Sequence, residues 1–181
     1  MSLRGSVCLY QGEELGLQEA DLAFEDLQDP YGIQFWPDFK GRDGCRTPMV
    51  WTNATTHGGF SNVKPWLPVP AAHLDKAVSV ETADTSSLLN QYRAFLAFRK
   101  RHPAFAKGDI KFEIADDQLL GFSRTYGNET LLAVFNMTES DALAVLPHGD
   151  WETLEGHGFS SDKNGDSVKL PPWGAYFARR A

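Results

Sequence analysis

The chain has 181 residues, 42% hydrophobic and 23% charged, which suits one globular domain or two small ones and is too apolar for a disordered chain. Its net charge is -7 and its one basic run, Arg99-Lys100-Arg101, falls at a predicted helix end, which argues against a nucleic-acid partner. It has no apolar run of about eighteen residues and no basic, apolar and small-residue leader, so the expectation is a soluble cytoplasmic protein with no membrane partner.

The first predicted element is a buried strand, Val7-Cys8-Leu9-Tyr10, running into the loop Gln11-Gly12-Glu13-Glu14-Leu15-Gly16. From Leu17 to Ala83 the chain is rich in Pro, Gly, Asp and Trp, with turn signals at Asp29-Pro30, Trp36-Pro37, Thr47-Pro48, Gly58-Gly59 and Pro65-Trp66-Leu67-Pro68. Loops longer than about 12 to 15 residues are functional or disordered. This one carries too many aromatics for disorder, so it is expected to be ordered and to face a substrate or an interface.

A helix follows over 85–101, capped by Asp84 or Thr85, with Leu88, Leu89, Tyr92, Phe95 and Leu96 on one face. Arg99, Lys100, Arg101 and His102 complement its dipole, and Pro103 stops it. From Gly108 the period becomes two, in Ile110, Phe112 and Ile114, in Leu131 to Phe135 and in Ala142 to Leu146. Turns at Asp116-Asp117, Gly127-Asn128 and Asn164-Gly165 fit a small antiparallel β-sandwich. The aromatic tail Pro171-Pro172-Trp173-Gly174-Ala175-Tyr176-Phe177 could form a sugar platform, but is expected to pack in the core at the last strand. The fold class is thus mixed α/β followed by all-β, divided at 1–107 and 108–181. A lone strand, loop and helix cannot bury its own apolar faces, so residues 1–107 read as the end of a larger fold.

The string Leu9-Tyr10-Gln11-Gly12-Glu13-Glu14-Leu15-Gly16 resembles the end of the eighth barrel strand in family 13 glycoside hydrolases of the α-glucosidase (maltase/isomaltase, oligo-1,6-glucosidase-like) group. Leu27-Gln28-Asp29-Pro30-Tyr31-Gly32-Ile33, Phe35-Trp36-Pro37 and Lys40-Gly41-Arg42-Asp43-Gly44-Cys45-Arg46-Thr47-Pro48-Met49 resemble the loop that follows. Gly59-Phe60 and Lys64-Pro65-Trp66-Leu67-Pro68 continue the likeness in order. The resemblance implies the last strand, long loop and helix of a (β/α)8 barrel, then a C-terminal antiparallel β-sandwich. It also implies that the nucleophile Asp, the acid/base Glu and a third Asp belong to earlier barrel strands. This chain is then expected to have no catalytic residue of its own. Retaining glycosidases need two carboxyl groups about 5 to 5.5 Å apart. Glu13 and Glu14, as neighbours at a strand end, would point to opposite faces and cannot supply them. A structural role is expected, with one carboxylate binding loop backbone or a basic residue.

Barrel active sites lie at the C-terminal face, built from βα loops. Arg42, by its place in Gly41-Arg42-Asp43, resembles the family's arginine at the non-reducing glucose subsite. It is the leading substrate-binding candidate, with anchoring of the loop to a carboxylate such as Asp43 or Glu25 as the alternative. Arg46, followed by Thr47-Pro48, reads more as a loop-folding element. Glu19, Phe39 and Asp43 are weaker candidates for the site rim, since an acid could bond sugar hydroxyls and an aromatic could stack on a sugar face.

His57, His73, His102, His148 and His157 lack metal-site spacing, and Cys8 and Cys45 form neither a disulfide framework nor a metal motif, so no metal or cofactor is expected. Three glycosylation sequons, at Asn53, Asn128 and Asn136, read as chance matches. Two functions are open. One is part of an enzyme that hydrolyses short α-glucosides with retention, the chain being inactive alone; transglucosylation and sucrose isomerisation are related chemistries on the same barrel. The other is a non-catalytic β-sandwich module that binds carbohydrate or a protein. Exposed barrel edges are further expected to make the chain self-associate or residues 1–83 rearrange.

Overall fold

In the computed structural model, which describes residues 1–181, the period-two pattern after Gly108 becomes eight strands. They are β1 (Asp109–Ala115), β2 (Leu119–Tyr126), β3 (Glu129–Asn136), β4 (Ala142–Val145), β5 (Trp151–Thr153), β6 (Asp162–Asn164), β7 (Ser167–Leu170) and β8 (Ala175–Arg180). All pairs are antiparallel, in a five-stranded sheet of order β1-β2-β3-β8-β5 and a three-stranded sheet of order β4-β7-β6. Five helices precede them: α1 (Pro30–Gln34), α2 (Ala71–Leu74), α3 (Val78–Ala83), α4 (Leu88–Arg101) and α5 (Pro103–Lys107). No helix is long and apolar enough to cross a membrane.

Side-chain alternation explains why the central strands are apolar on both faces. Leu132, Val134, Tyr176 and Ala178 point one way and share a core with Ala142, Ala144, Val168 and Leu170 of the smaller sheet. Leu131, Ala133 and Phe177 point the other way, with Phe122, and pack on Phe95 and Phe98 of α4 and Phe105 of α5. The arrangement is a sandwich with a helical layer on one outer face. Phe98, fully buried, meets the rings of Phe95, Phe105, Phe177 and His157 at centroid distances of 5.3 to 5.8 Å, a range in which aromatic pairs add to simple area burial.

The chain divides into two compact units, Cys8–Tyr92 and Met1–Val7 with Arg93–Ala181. This division falls inside α4, whereas the sequence pattern set it at 107/108. The reason is that Leu89 joins a core with Leu15, Val50 and Ala77, while Phe95 and Phe98 join the core under the sheet.

Three expectations are corrected. Residues 7–10 do not form a buried strand: Val7, Cys8, Leu9 and Tyr10 are exposed, and no strand pairs with them. A parallel core strand needs hydrogen-bonded neighbours and a covering layer, and the chain supplies neither to this segment. The helix starts at Leu88 and not at 85, because Asp84 spends its carboxylate on the Ser86 amide (2.8 Å) and hydroxyl (2.7 Å). Ser87 Oγ takes the cap, accepting from the Asn90 amide at 3.2 Å. Its buried stripe includes Phe98, while Leu88 is exposed and Leu96 half-buried. Trp173 is not core: it is 63% exposed, whereas Tyr176 and Phe177 are buried. Its φ of 56° is the left-handed region, which costs a side chain with a Cβ about 1–2 kcal/mol. The expectation for Glu13-Glu14 holds, since Glu14 Oε2 accepts from the Gly12 amide at 2.9 Å. Asn136 is buried, its amide donating to Ser140 O and Pro171 O, so its sequon is not a modification site.

His157 gives the sandwich unit a pH dependence. The Phe159 amide donates to its Nδ1 at 3.1 Å, which leaves Nε2–H to donate to Leu154 O at 2.9 Å, so the neutral ring satisfies both partners. Burial pushes its pKa down, against the Leu154 carbonyl and Glu155, which push it up. A lowered folded pKa means that the stability contribution is full above the ordinary histidine value and is lost as pH falls below it. Thermal midpoints followed from pH 7.5 to 5 should therefore fall further for the wild type than for His157→Gln; parallel curves would refute the assignment.

Candidate functional site

The site residues lie in the Cys8–Tyr92 unit, in a loop with little regular structure. Buried backbone groups there must find side-chain partners, and two aspartates provide them. Asp29 caps α1, its Oδ1 accepting from Tyr31 N at 3.1 Å ahead of Pro30 at the first helical position. Its Oδ2 accepts from Arg42 N at 3.0 Å, from Arg46 Nη2 at 2.9 Å and, at the limit of 3.5 Å, from Arg42 Nε. Asp43 Oδ2 in turn accepts from Gln28 N (2.6 Å) and Asp29 N (2.7 Å). Its Oδ1 is buried 3.2 Å from Arg46 Nη2, an ion-pair contact outside hydrogen-bond geometry.

The Asp29 carboxyl lies below the usual carboxylate range. Burial pushes it up, and the Arg42 amide, the Tyr31 amide and the Arg42 guanidinium together outweigh that. Arg46 Nη2 lies 2.9 Å from the same carboxylate. Two glycines permit the close approach. Gly41 has φ +74°, and a Cβ there would stand 2.9 Å from Asp29 Cβ; a Cβ on Gly44 would stand 2.4 Å from Ala20 O.

The five predicted residues separate clearly. Arg42 has its backbone fixed by Asp29 while its side chain is 73% exposed. Arg46 is two-thirds covered: it bridges both aspartates, bonds Arg42 O at 3.3 Å and lies over the Trp66 ring at 5.8 Å. Asp43 is wholly buried with its carboxylate committed inside the loop. Glu19 is exposed beside Gly44 and lines a cleft of about 100 Å³ with Tyr10, Cys45, Thr47 and His73. Phe39 is half exposed at the end of a turn in which its amide bonds Phe35 O at 3.0 Å. The structure thus gathers Arg42, Asp43 and Arg46 around Asp29, and puts Glu19 and Phe39 outside that knot.

Two further residues organise the loop. Asp29 entered the sequence reading only as a turn, although Asp before Pro is a helix-start signal. His73, on α2, is buried; its Nε2 meets Gln18 O at 2.9 Å and its Nδ1 meets Thr47 Oγ1 at 3.4 Å, tying together the segments that carry Glu19 and Arg46. No sequence spacing links residues 18, 47 and 73. Desolvation and then Glu19 push the Cys45 thiol pKa up, against Arg46.

The sequence model described as "Alpha amylase, catalytic domain" matches residues 1–108. The chain belongs to the alpha-amylase family. It is 59% identical over its whole length to a "Probable alpha-glucosidase" of Rhizobium meliloti (strain 1021), of which it covers 33%. It is 26% identical, over 96% of its length, to an oligo-1,6-glucosidase of Parageobacillus thermoglucosidasius, of which it covers 35%. The crystal structure of an alpha-glucosyl transfer enzyme, XgtA, superposes with a TM-score of 0.92 at 49% identity, covering 99% of this chain and 34% of that one. The chain therefore spans about a third of the length of the curated relatives it matches. In this member of the family, the chain as a whole has the expected mix of helices and strands, with antiparallel sheets after the helices.

The depressed Asp29 pKa sets the sign of an acid effect. The restraint it supplies is present above the ordinary carboxylate range and is lost as pH falls through the folded value. Hydrogen exchange at the Tyr31 and Arg42 amides, corrected for intrinsic rate, should be slow at pH 7 and quicken in acid. In Asp29→Ala it should be fast throughout, and unchanged protection in that variant would remove Asp29 from the centre of the loop.

Proposed function

We propose that this chain supplies the end of the catalytic barrel (residues 1–107) and the C-terminal sandwich (108–181) of a retaining α-glucosidase. The enzyme would release glucose from the non-reducing ends of short α-glucosides of the maltose and isomaltose type, in the cytoplasm. The division is supported by a family match that ends at residue 108, and the activity by the names of the relatives. The observation that carries the reading is the asymmetry between the two arginines. Arg46 bridges both aspartates, while Arg42, held to Asp29 through its amide and at 3.5 Å through Nε, keeps a side chain that is 73% exposed. A planar fork of donors on a rigid base is suited to paired sugar hydroxyls or to a carboxylate held ionised. Glu19 and Phe39 stand at the rim, while Asp43 and Arg46 act by shaping the loop.

Neither Asp29 nor Asp43 can act as nucleophile or acid/base, because both carboxylates are buried under backbone amides and Arg46. This favours one wall of a pocket and no turnover by the chain alone. Transfer of the glucosyl unit to an acceptor other than water is a second reading, supported by the 49% identity to XgtA.

An aryl α-glucoside tests the first half: no hydrolysis above buffer is expected, and turnover by the chain alone would contradict it. Maltose binding tests the second. Losing hydrogen bonds from a charged group costs about 1.5–3 kcal/mol, so Arg42→Ala should weaken binding about tenfold or more. Arg46→Ala should chiefly lower the thermal midpoint; undiminished maltose binding by Arg42→Ala ends the site assignment.

The same reading has the chain self-associate. In the Cys8–Tyr92 unit, Leu9, Tyr10, Tyr31, Phe35, Trp51 and Trp66 are exposed, an apolar display unusual for a monomer. Sedimentation velocity should show oligomers growing with concentration, and a single monomer boundary across the range would dismiss the idea.

A further inference from the structure

Trp173 sits where neither packing nor backbone preference would put a tryptophan. It is 63% exposed, belongs to no core cluster, and holds a left-handed φ of 56° that glycine adopts without penalty. The turn that holds it is braced from below. Its own amide bonds Thr138 O at 3.1 Å and the Gly174 amide bonds Pro171 O at 2.9 Å. Buried Asn136 reaches Pro171 O at 2.8 Å through Nδ2, and its amide bonds Gly174 O at 2.9 Å. The indole is therefore presented on a rigid base, so ordering it for a ligand costs little. Met137, next in the chain to the braced segment, is also exposed.

We infer that the Pro171–Gly174 turn is a binding platform for a neutral saccharide chain, with the Trp173 indole as its stacking surface. An exposed indole offers an apolar face to the C–H face of a sugar and an N–H to its hydroxyls. The neighbouring turns choose the ligand's charge. The Thr138 segment continues into exposed Glu139, Ser140 and Asp141, the last paired with Lys169 at 2.7 Å, and Met137 N bonds Gln118 O at 2.8 Å, which brings the turn carrying Asp116, whose Oδ1 takes the Gln118 and Leu119 amides, and exposed Asp117 to the same end of the sandwich. On a chain of net charge -7, this acidic rim repels anionic polymers and accepts hydrogen bonds from hydroxyl groups. The choice of an α-glucan as the saccharide rests on the α-glucosidase reading above; the platform itself does not.

Calorimetric titration of the 181-residue chain with maltoheptaose tests this. Wild type should bind, Trp173→Phe should stay within about threefold because stacking survives, and Trp173→Gly should bind about tenfold more weakly or worse. Glycine relieves the left-handed strain, so the thermal midpoint of Trp173→Gly should be unchanged or raised, which a packing role for the indole would reverse. The same loss should appear in an Arg42→Ala background. No binding by wild type, equal binding by Trp173→Gly, or a loss accompanied by a lowered midpoint each overturns the platform. If Arg42→Ala alone abolishes binding, the platform fails and the Arg42 site stands; if it changes nothing while Trp173→Gly still acts, the Arg42 site fails and the platform stands.

Discussion

A carboxylate shared between two backbone amides and a guanidinium holds the functional loop of this chain. Asp29 takes the amides of Tyr31 and Arg42 and the head group of Arg46, and Asp43 takes the amides of Gln28 and Asp29. A long segment without sheet or extended helix has no ladder in which to satisfy its polar groups, and these two side chains stand in for one. Burying two carboxylates is tolerable because Arg46 lies against both and amides occupy their lone pairs. Gly41 and Gly44 are consequences, since the backbone passes too near Asp29 and Ala20 to admit a Cβ. Arg42 touches the knot only through its amide and, at 3.5 Å, its Nε, and its side chain is otherwise largely exposed.

The other unit is stabilised on different terms. Its central strands lie between two apolar layers, so side chains on both faces of β3 and β8 reach a core. Polar groups join the layers. Glu129, at the start of β3, receives the Ala104 amide of α5 at 2.9 Å and faces His102 Nδ1 at 2.9 Å, which fastens the short helix to the sheet. Buried Arg124 donates to the carbonyls of Ser2 and Gly108, and Arg99 donates to those of Met1 and Phe105. The first residues are thereby held by side chains about a hundred positions later in the sequence.

Much of this was legible in the residue pattern. Three of the strands after Gly108, β1, β3 and β4, declared themselves by period-two runs, the hairpins by Asp116-Asp117, Gly127-Asn128 and Asn164-Gly165, and the end of α4 by its basic residues and Pro103. The loop was visible as an ordered, Gly/Pro-rich segment, and Arg46 as one of its folding elements. What failed to show was whatever depends on partners distant in sequence. Val7 to Tyr10 reads as a core strand, yet a strand is a relation between segments and no segment of this chain completes it. Asp84 looked like the cap of α4 until Ser86 claimed its carboxylate. His73 had no spacing to reveal that it joins Gln18 to Thr47.

The site divides along the same line. Local chemistry named Arg42, Arg46 and Asp43 together, because they stand within five residues of one another, and suggested that one arginine would fold the loop while another faced a ligand. Only the tertiary structure could say which carboxylate tied them, since Asp29 lies thirteen residues before Arg42 and its role arises when two stretches of chain meet. Trp173 shows the limit most plainly: the aromatic tail reads as core packing at the last strand, yet this ring faces outward. The sequence by itself determined periodicity, turns and the chemistry on offer, because these are set by neighbours along the chain. Burial, charge pairing and the direction in which a side chain faces were decided by the fold, because each is a property of the space between segments.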